Sequence, residues 1–153
     1  MKRIPLTNSN QTTLIDDEDV FVVSKHRWYL LKTTSGHCYV RSCGSNKIFL
    51  HRYLLGLKNG DKRIVDHRDF NPLNNQKSNL RICTTRQNNQ HTRPRPHSSK
   101  YKGVSHINHW VANITHNSKM IHLGIFKSEK EAARAYNKKA KELFGEFAVL
   151  NNV

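Results

Sequence analysis

The spacing of apolar residues separates short, strand-like stretches from one long helical repeat. Between residues 1 and 50, Val20–Val23, Trp28–Leu31, Cys38–Val40 and Ile48–Leu50 are β-prone runs. Turn formers such as Ser35-Gly36 and Gly44-Ser45-Asn46 separate them, so they predict strands. Leu50 to Leu57, ending before Gly60, predicts a short helix. Ile64 and Val65 lead into a strand that ends at Asp66-His67. A loop rich in Asn and Pro follows, Leu80 and Ile82 alternate as a return strand, and Thr84 starts a helix containing Asn88.

After residue 100 the pattern sharpens. Tyr101–His106, Trp110–His116 and Met120–Phe126 predict three strands, with turns around His109 and at Asn117-Ser118. Ser128 and Glu131 have capping-box spacing, and the helix they open runs to about Phe144 and stops at Gly145. Ala132, Tyr136, Ala140 and Leu143 share one face of it, small enough to approach a sheet closely. Strand alternation sends Trp110, Ala112, Ile114, Ile121 and Leu123 toward that helix and leaves Asn113, Thr115 and His122 outward. The fold class is α+β, with a β-rich N-terminal segment and a C-terminal three-stranded antiparallel sheet packed on one helix.

The break between the halves is the stretch 91–100, which holds two prolines, two serines and no aliphatic residue. It reads as a linker, either plainly solvated or lying against phosphates. This gives a first domain over 1–90 with its core at about 48–90, the linker 91–100 and a second domain over 101–153.

Charge narrows the function classes. The 153 residues hold 26 Lys plus Arg against 11 Asp plus Glu, a net +15. Residues 1–90 carry +8 and 91–153 carry +7, so the excess is spread over both halves. A folded protein with this balance attracts polyanions, above all nucleic acid. Cys38, Cys43 and Cys83 form no CxxC pair, which argues against a structural zinc site and a disulfide framework. Met1–Pro5 lacks the apolar run of a signal peptide, and no stretch reads as a membrane span. The expectation is an intracellular, reduced protein.

The chemistry concentrates in Asp66-His67, Asn79-Leu80-Arg81 and Gln87-Asn88, with Leu50-His51-Arg52 upstream. A neutral His suits a general base near pH 7. A carboxylate and an amide oxygen are hard ligands that suit Mg²⁺ or Mn²⁺. The order and spacing of Asp66, His67, Asn79 and Asn88 resemble the ββα-metal motif of HNH nucleases, strongly over residues 50–90 and weakly before. The resemblance implies that His67 is the general base, that Asp66 and Asn88 bind one divalent cation, and that Asn79 bridges the loop and orients His67. Asn89 competes with Asn88, since only one of two adjacent helical residues can face the metal. Arg81 holds either a phosphate or a structural ion pair. His51 adjoins the site or simply packs, and His91 is a weaker third ligand. The acidic run Asp16–Asp19 could be imagined as a metal site but reads better as a turn or helix start.

Tyr101-Lys102-Gly103-Val104, Trp110–Ile114, Leu123–Phe126, Glu131–Tyr136 and Ala148–Asn151 resemble the APETALA2-type DNA-binding domain over nearly all of 100–151. That family places its sheet in the DNA major groove. Carried over by position, the reading residues are Lys102, Ser105, Asn113, Thr115 and His122, with Trp110 a core residue. Plant members tend to have Arg, Glu and Trp there, so their target sequence is not implied.

Together the resemblances imply a metal-dependent DNA endonuclease of homing or phage type. It would nick duplex DNA as a monomer in the cytoplasm of a bacterial or phage-infected cell, with no protein partner. The rivals are a DNA-binding regulator with an inactive nuclease centre and a structured-RNA binder or RNase.

Overall fold

The computed structural model describes residues 1–34, 36–45, 47–94 and 98–153. Ser35 and Asn46 of the predicted turns, and Arg95, Pro96 and His97 of the linker, lie outside the described residues. The chain is mixed α/β and divides into two compact units, Met1–Thr84 and Thr85–Val153.

The N-terminal unit is built from antiparallel pairs. Strands β1 (Lys2–Leu6) and β2 (Ser9–Ile15) form a hairpin, and β3 (Trp28–Lys32) pairs with β4 (Cys38–Ser42). Between the pairs, a 3-10 turn over Asp17–Asp19 runs into helix α1 (Val20–Val23). Helix α2 (Leu50–Leu54) precedes the last pair, β5 (Ile64–His67) and β6 (Leu80–Cys83).

Two expected strands are therefore helical or absent. Val20–Val23 is a helix: the acidic run before it starts a helical turn, Val23 enters the core, and Phe21 is left 74% exposed. Within Ile48–Leu50, Phe49 makes only an isolated bridge to Arg41, and Leu50 already belongs to α2.

Leu6, Ile15, Val23, Trp28, Leu30, Val40 and Leu50 form the core of this unit. Each full burial of such a side chain stabilises by about 1.5–3 kcal/mol, less whatever the unfolded chain already buries. The Trp28 indole N–H donates to the Val23 carbonyl at 2.9 Å, so its one polar group is satisfied.

The C-terminal unit begins with helix α3 (Thr85–Gln90), followed by strands β7 (Val104–Ile107), β8 (His109–His116) and β9 (Lys119–Phe126). These form one antiparallel sheet in the order β7-β8-β9. Helix α4 (Glu129–Phe144) packs on β8 and β9 through Ala132, Ala133, Tyr136, Ala140 and Phe144. Phe144, rather than the expected Leu143, closes the buried stripe. Ser128 Oγ accepts from the Glu131 amide at 3.2 Å, the N-cap half of the capping box. Asn117 and Ser118, with φ of 54° and 60°, form the tight β8–β9 turn.

The described ends of the linker are tied down rather than plainly solvated. Ser99 Oγ donates to Glu129 Oε1 at 2.8 Å, Ser98 Oγ accepts from the His106 amide at 3.1 Å, and His91 and Ser99 are buried.

Gly103 is the position where the backbone allows no other residue. Its φ is +73°, and a Cβ there would overlap the Tyr136 ring and the Asn113 carbonyl. Gly103→Ala is expected to cost at least about 1 kcal/mol, lowering the melting temperature of the C-terminal unit by about 4 °C or more. A variant with wild-type thermal stability would show that the tight approach of β7 to α4 is not needed.

Candidate active site

The site begins where β5 ends. In the β5–β6 pair, Asp66 stands opposite Arg81 and His67 opposite Leu80. Asp66 and Arg81 are both buried, and Asp66 Oδ2 accepts from Arg81 Nε at 2.8 Å and lies 2.7 Å from Nη2 in the same ion pair. Of the two roles left open for Arg81, the structure takes the ion pair. A guanidinium so enclosed is poorly placed to hold a phosphate.

His67 is fixed through its ring. Nε2 lies 3.2 Å from Asn75 Oδ1. Asn75 is fully buried and donates from Nδ2 to the Pro72 carbonyl at 3.0 Å and to Thr13 Oγ1 at 2.8 Å. Thr13 in turn donates to the Leu73 carbonyl at 2.9 Å. A carbonyl can only accept, so the Asn75 amide must turn its NH₂ to Pro72 and its oxygen to His67. The imidazole then carries its proton on Nε2 and keeps a lone pair on Nδ1. Burial pushes the His67 pKa down, outweighing the Asn75 hydrogen bond and the Asp69 and Asp66 carboxylates, which raise it. Near pH 7 the ring is neutral.

Helix α2 brings His51 against His67, edge to face with 5.4 Å between ring centroids. Burial, then the proximity of His67 and Arg52, lowers the His51 pKa to about 3. His51 is thus a neutral neighbour of His67. Arg52 ties the approach to β5, donating to the carbonyls of Arg63 and Asp61, each at 2.7 Å.

Asn79 bridges the loop. Its Oδ1 accepts from the Asp69 amide at 3.1 Å, and its Nδ2 donates to Asp69 Oδ1 at 2.9 Å and the Asn74 carbonyl at 2.8 Å. The imidazole contact, however, goes to Asn75 and not to Asn79. Burial would raise the Asp69 pKa, but hydrogen bonds from Asn74, Asn71 and Asn79 more than offset it and leave the pKa lowered. Phe70, at φ 59°, turns the chain in a conformation rare for an aromatic residue.

The sequence reading missed Asn75 and Thr13. Asn75 looked like one more loop Asn, and Thr13 is 62 residues away. Strand β2 joins them: the Leu14 amide donates to the Leu73 carbonyl at 2.7 Å, and the Asn75 amide to the Leu14 carbonyl at 2.8 Å. The acidic run has a structural task here. Asp16 accepts from the Lys77 amide and from Gln76 Nε2, while Lys77 Nζ pairs with Asp19 and Glu18, each at 2.7 Å. It clamps the Asn-rich loop.

In the C-terminal unit, α3 carries Asn88, half-buried, and Asn89, exposed beside an open cleft of about 860 Å³. Thr115 and His122 are exposed, and Asn113 Oδ1 lies 3.1 Å from His122 Nδ1. Ser105 is opposite Val111 on the same sheet. Lys102 differs from these. Its ammonium donates to the carbonyls of Gln90 at 2.9 Å and Thr92 at 2.8 Å.

No three His, Cys, Asp or Glu among the described residues gather into a metal cage. The Asp66 carboxylate is a hard oxygen donor, the type that divalent cations such as Mg²⁺ and Mn²⁺ take. Cys38, Cys43 and Cys83 are free thiols. No helix among the described residues is long and apolar enough to cross a membrane.

A family profile described as HNH endonuclease matches residues 49–90, from α2 to the end of α3. An HNH endonuclease of Acanthamoeba polyphaga mimivirus is 41% identical over 140 residues, 86% of this chain and 70% of that protein. An ethylene-responsive transcription factor-like protein of Arabidopsis thaliana is 35% identical over 79 residues, 49% of this chain and 35% of that protein. No solved structure matches. With the motif matched and most of a relative's length covered, this chain belongs to the HNH endonuclease family.

Proposed function

We propose that this endonuclease nicks duplex DNA with the help of one divalent cation, Mg²⁺ or Mn²⁺, and that His67 is its general base. One observation carries the reading: a half-buried imidazole of lowered pKa, hydrogen-bonded to Asn75, next to the buried carboxylate of Asp66 inside the family motif. Asp66 and Asn88 are the oxygen donors that would hold the cation. When bound, such an ion supplies Lewis-acid stabilisation of the charge developing on phosphodiester oxygens. His67 Nδ1 takes the proton of the attacking water, and Asn75 keeps the lone pair aimed. Asn79 holds the loop that carries Asn75, and Arg81 holds Asp66. Arg81 is therefore no longer a DNA contact in this reading.

The domain scheme is a nuclease over 1–90, the basic linker 91–100 and an APETALA2-type reader over 101–153. The sheet with a helix on one face, the exposed polar residues on the other and the partial likeness to the Arabidopsis protein support the reader. Ser105, Asn113, Thr115 and His122 are its proposed base-facing residues; an Asn amide can pair with an adenine edge. One active site per monomer gives single-strand cuts, and the architecture suits a homing or phage nuclease acting without a protein partner.

Supercoiled plasmid incubated with the protein and Mg²⁺ or Mn²⁺ is expected to accumulate open circles, and chelation to stop it. A mobility shift with no nick in either metal would instead favour a DNA-binding regulator. Faster cleavage of RNA than of duplex DNA would replace the substrate.

A further inference from the structure

The family motif runs to residue 90, yet its last element, α3, belongs to the C-terminal unit. A helix of six residues does not persist in water by itself, and its last carbonyls need donors. Backbone amides reach two of them, His91 to the Gln87 carbonyl at 3.1 Å and Thr92 to the Gln90 carbonyl at 3.0 Å, and Lys102 adds a charged donor at Gln90 and just beyond it. Its ammonium has three N–H groups, and it meets the Gln90 carbonyl, the Thr92 carbonyl and, at 3.3 Å, Thr92 Oγ1. A cation at this end also complements the helix dipole.

Lys102 is itself held from behind. Its amide donates to Asn151 Oδ1 at 2.7 Å, and Asn151 Nδ2 donates back to its carbonyl at 3.1 Å. The backbone of Asn151 is gripped in the same reciprocal way by Asn137 of α4, with Asn137 Nδ2 to the Asn151 carbonyl at 2.8 Å and the Asn151 amide to Asn137 Oδ1 at 2.7 Å. Asn151 is buried, and the next residue after Lys102 is the sterically locked Gly103. The path from α4 to the end of α3 is thus a rigid chain of side-chain amides ending in an ammonium.

We propose that Lys102 is a positioning residue of the nuclease, a strut by which the C-terminal unit holds α3 and the Asn88 it carries. The C-terminal unit then contributes to the catalytic apparatus as well as to DNA recognition. Lys102 is accordingly not a DNA-reading residue, although its place in the sequence suggested one. Burial of the ammonium, which brings its pKa down to about 8, accords with a group turned onto protein oxygens. The bearing on metal binding rests on the proposed role of Asn88; the strut itself does not.

The test uses the full chain with Lys102→Met and Lys102→Gln. Amide hydrogen exchange is followed without metal or DNA, so its outcome does not depend on the nuclease reading. Protection at residues 87–92 is expected to fall by about tenfold, while α4 and the three-stranded sheet keep theirs. The Mg²⁺ concentration for half-maximal nicking should rise, and the salt dependence of DNA binding should not change. Unchanged exchange in α3, with a salt slope reduced by about one, would make Lys102 a phosphate contact and overturn the proposal. Equal loss of protection in α3 and α4 in both variants would also overturn it, because Lys102 would then support the whole unit. If wild-type protein cuts nothing, the nuclease reading fails while the exchange result still decides the strut.

Discussion

His67→Ala is expected to slow plasmid nicking by roughly 10²–10⁴-fold, the range for removing a positioned general base, while duplex DNA affinity stays within about twofold. The imidazole is half-buried and engaged with Asn75, so it contributes little to the basic surface that attracts DNA. The pH profile sharpens the test. A base works when unprotonated, so the rate rises as pH climbs through its folded pKa and is flat above it. Burial depresses that pKa, which places the acid limb of the wild-type profile below the ordinary histidine value of 6.5. The alanine variant should lose that limb along with the rate. Unaltered nicking in His67→Ala would end the assignment of this residue.

Arg81→Met is expected to destabilise the N-terminal unit by about 3–5 kcal/mol, because it leaves a buried carboxylate without its cation. The side chains of Arg81 and Asp66 are only 6% and 8% exposed, so water cannot replace the lost bonds. The double variant Asp66→Leu with Arg81→Met should recover much of that stability, since a well-packed apolar pair often substitutes for a buried ion pair at little cost. Its nicking should nonetheless be lost, because a proposed metal ligand has gone. Urea unfolding followed through Trp28, in a Trp110→Phe background, reads the N-terminal unit alone. A loss under about 1 kcal/mol in the single variant would mean that solvent reaches the pair and that Asp66 is less enclosed than its burial indicates.

Local pattern made much of this protein legible. The alternation of Trp110–Ile114, the turn at Asn117-Ser118 and the Ser128–Gly145 helix are short-range signals, and each appears where its spacing puts it. The Asp66-His67 strand end and the Leu80–Ile82 return strand were readable for the same reason. Val20–Val23 was misread because β-branched residues favour strands only weakly, and burial of Val23 in the core outweighs that preference. The N-terminal hairpin, β1 with β2, was not among the strands singled out, since Pro5 and the polar run Asn8–Thr13 mask its alternation.

The sequence by itself determined the chemistry available: an Asp-His pair, spaced asparagines, a basic chain and a sheet-and-helix pattern after residue 100. Only the tertiary structure decided the partners. It chose Asn75 over Asn79 to hold the imidazole, turned Arg81 inward onto Asp66, set the acidic run against Lys77 and spent the Lys102 ammonium on α3. The reason is physical. Identity and spacing govern what a side chain can do, but which donor meets which acceptor depends on burial and on strands brought together across as many as 62 residues of chain, and neither leaves a local mark in the sequence.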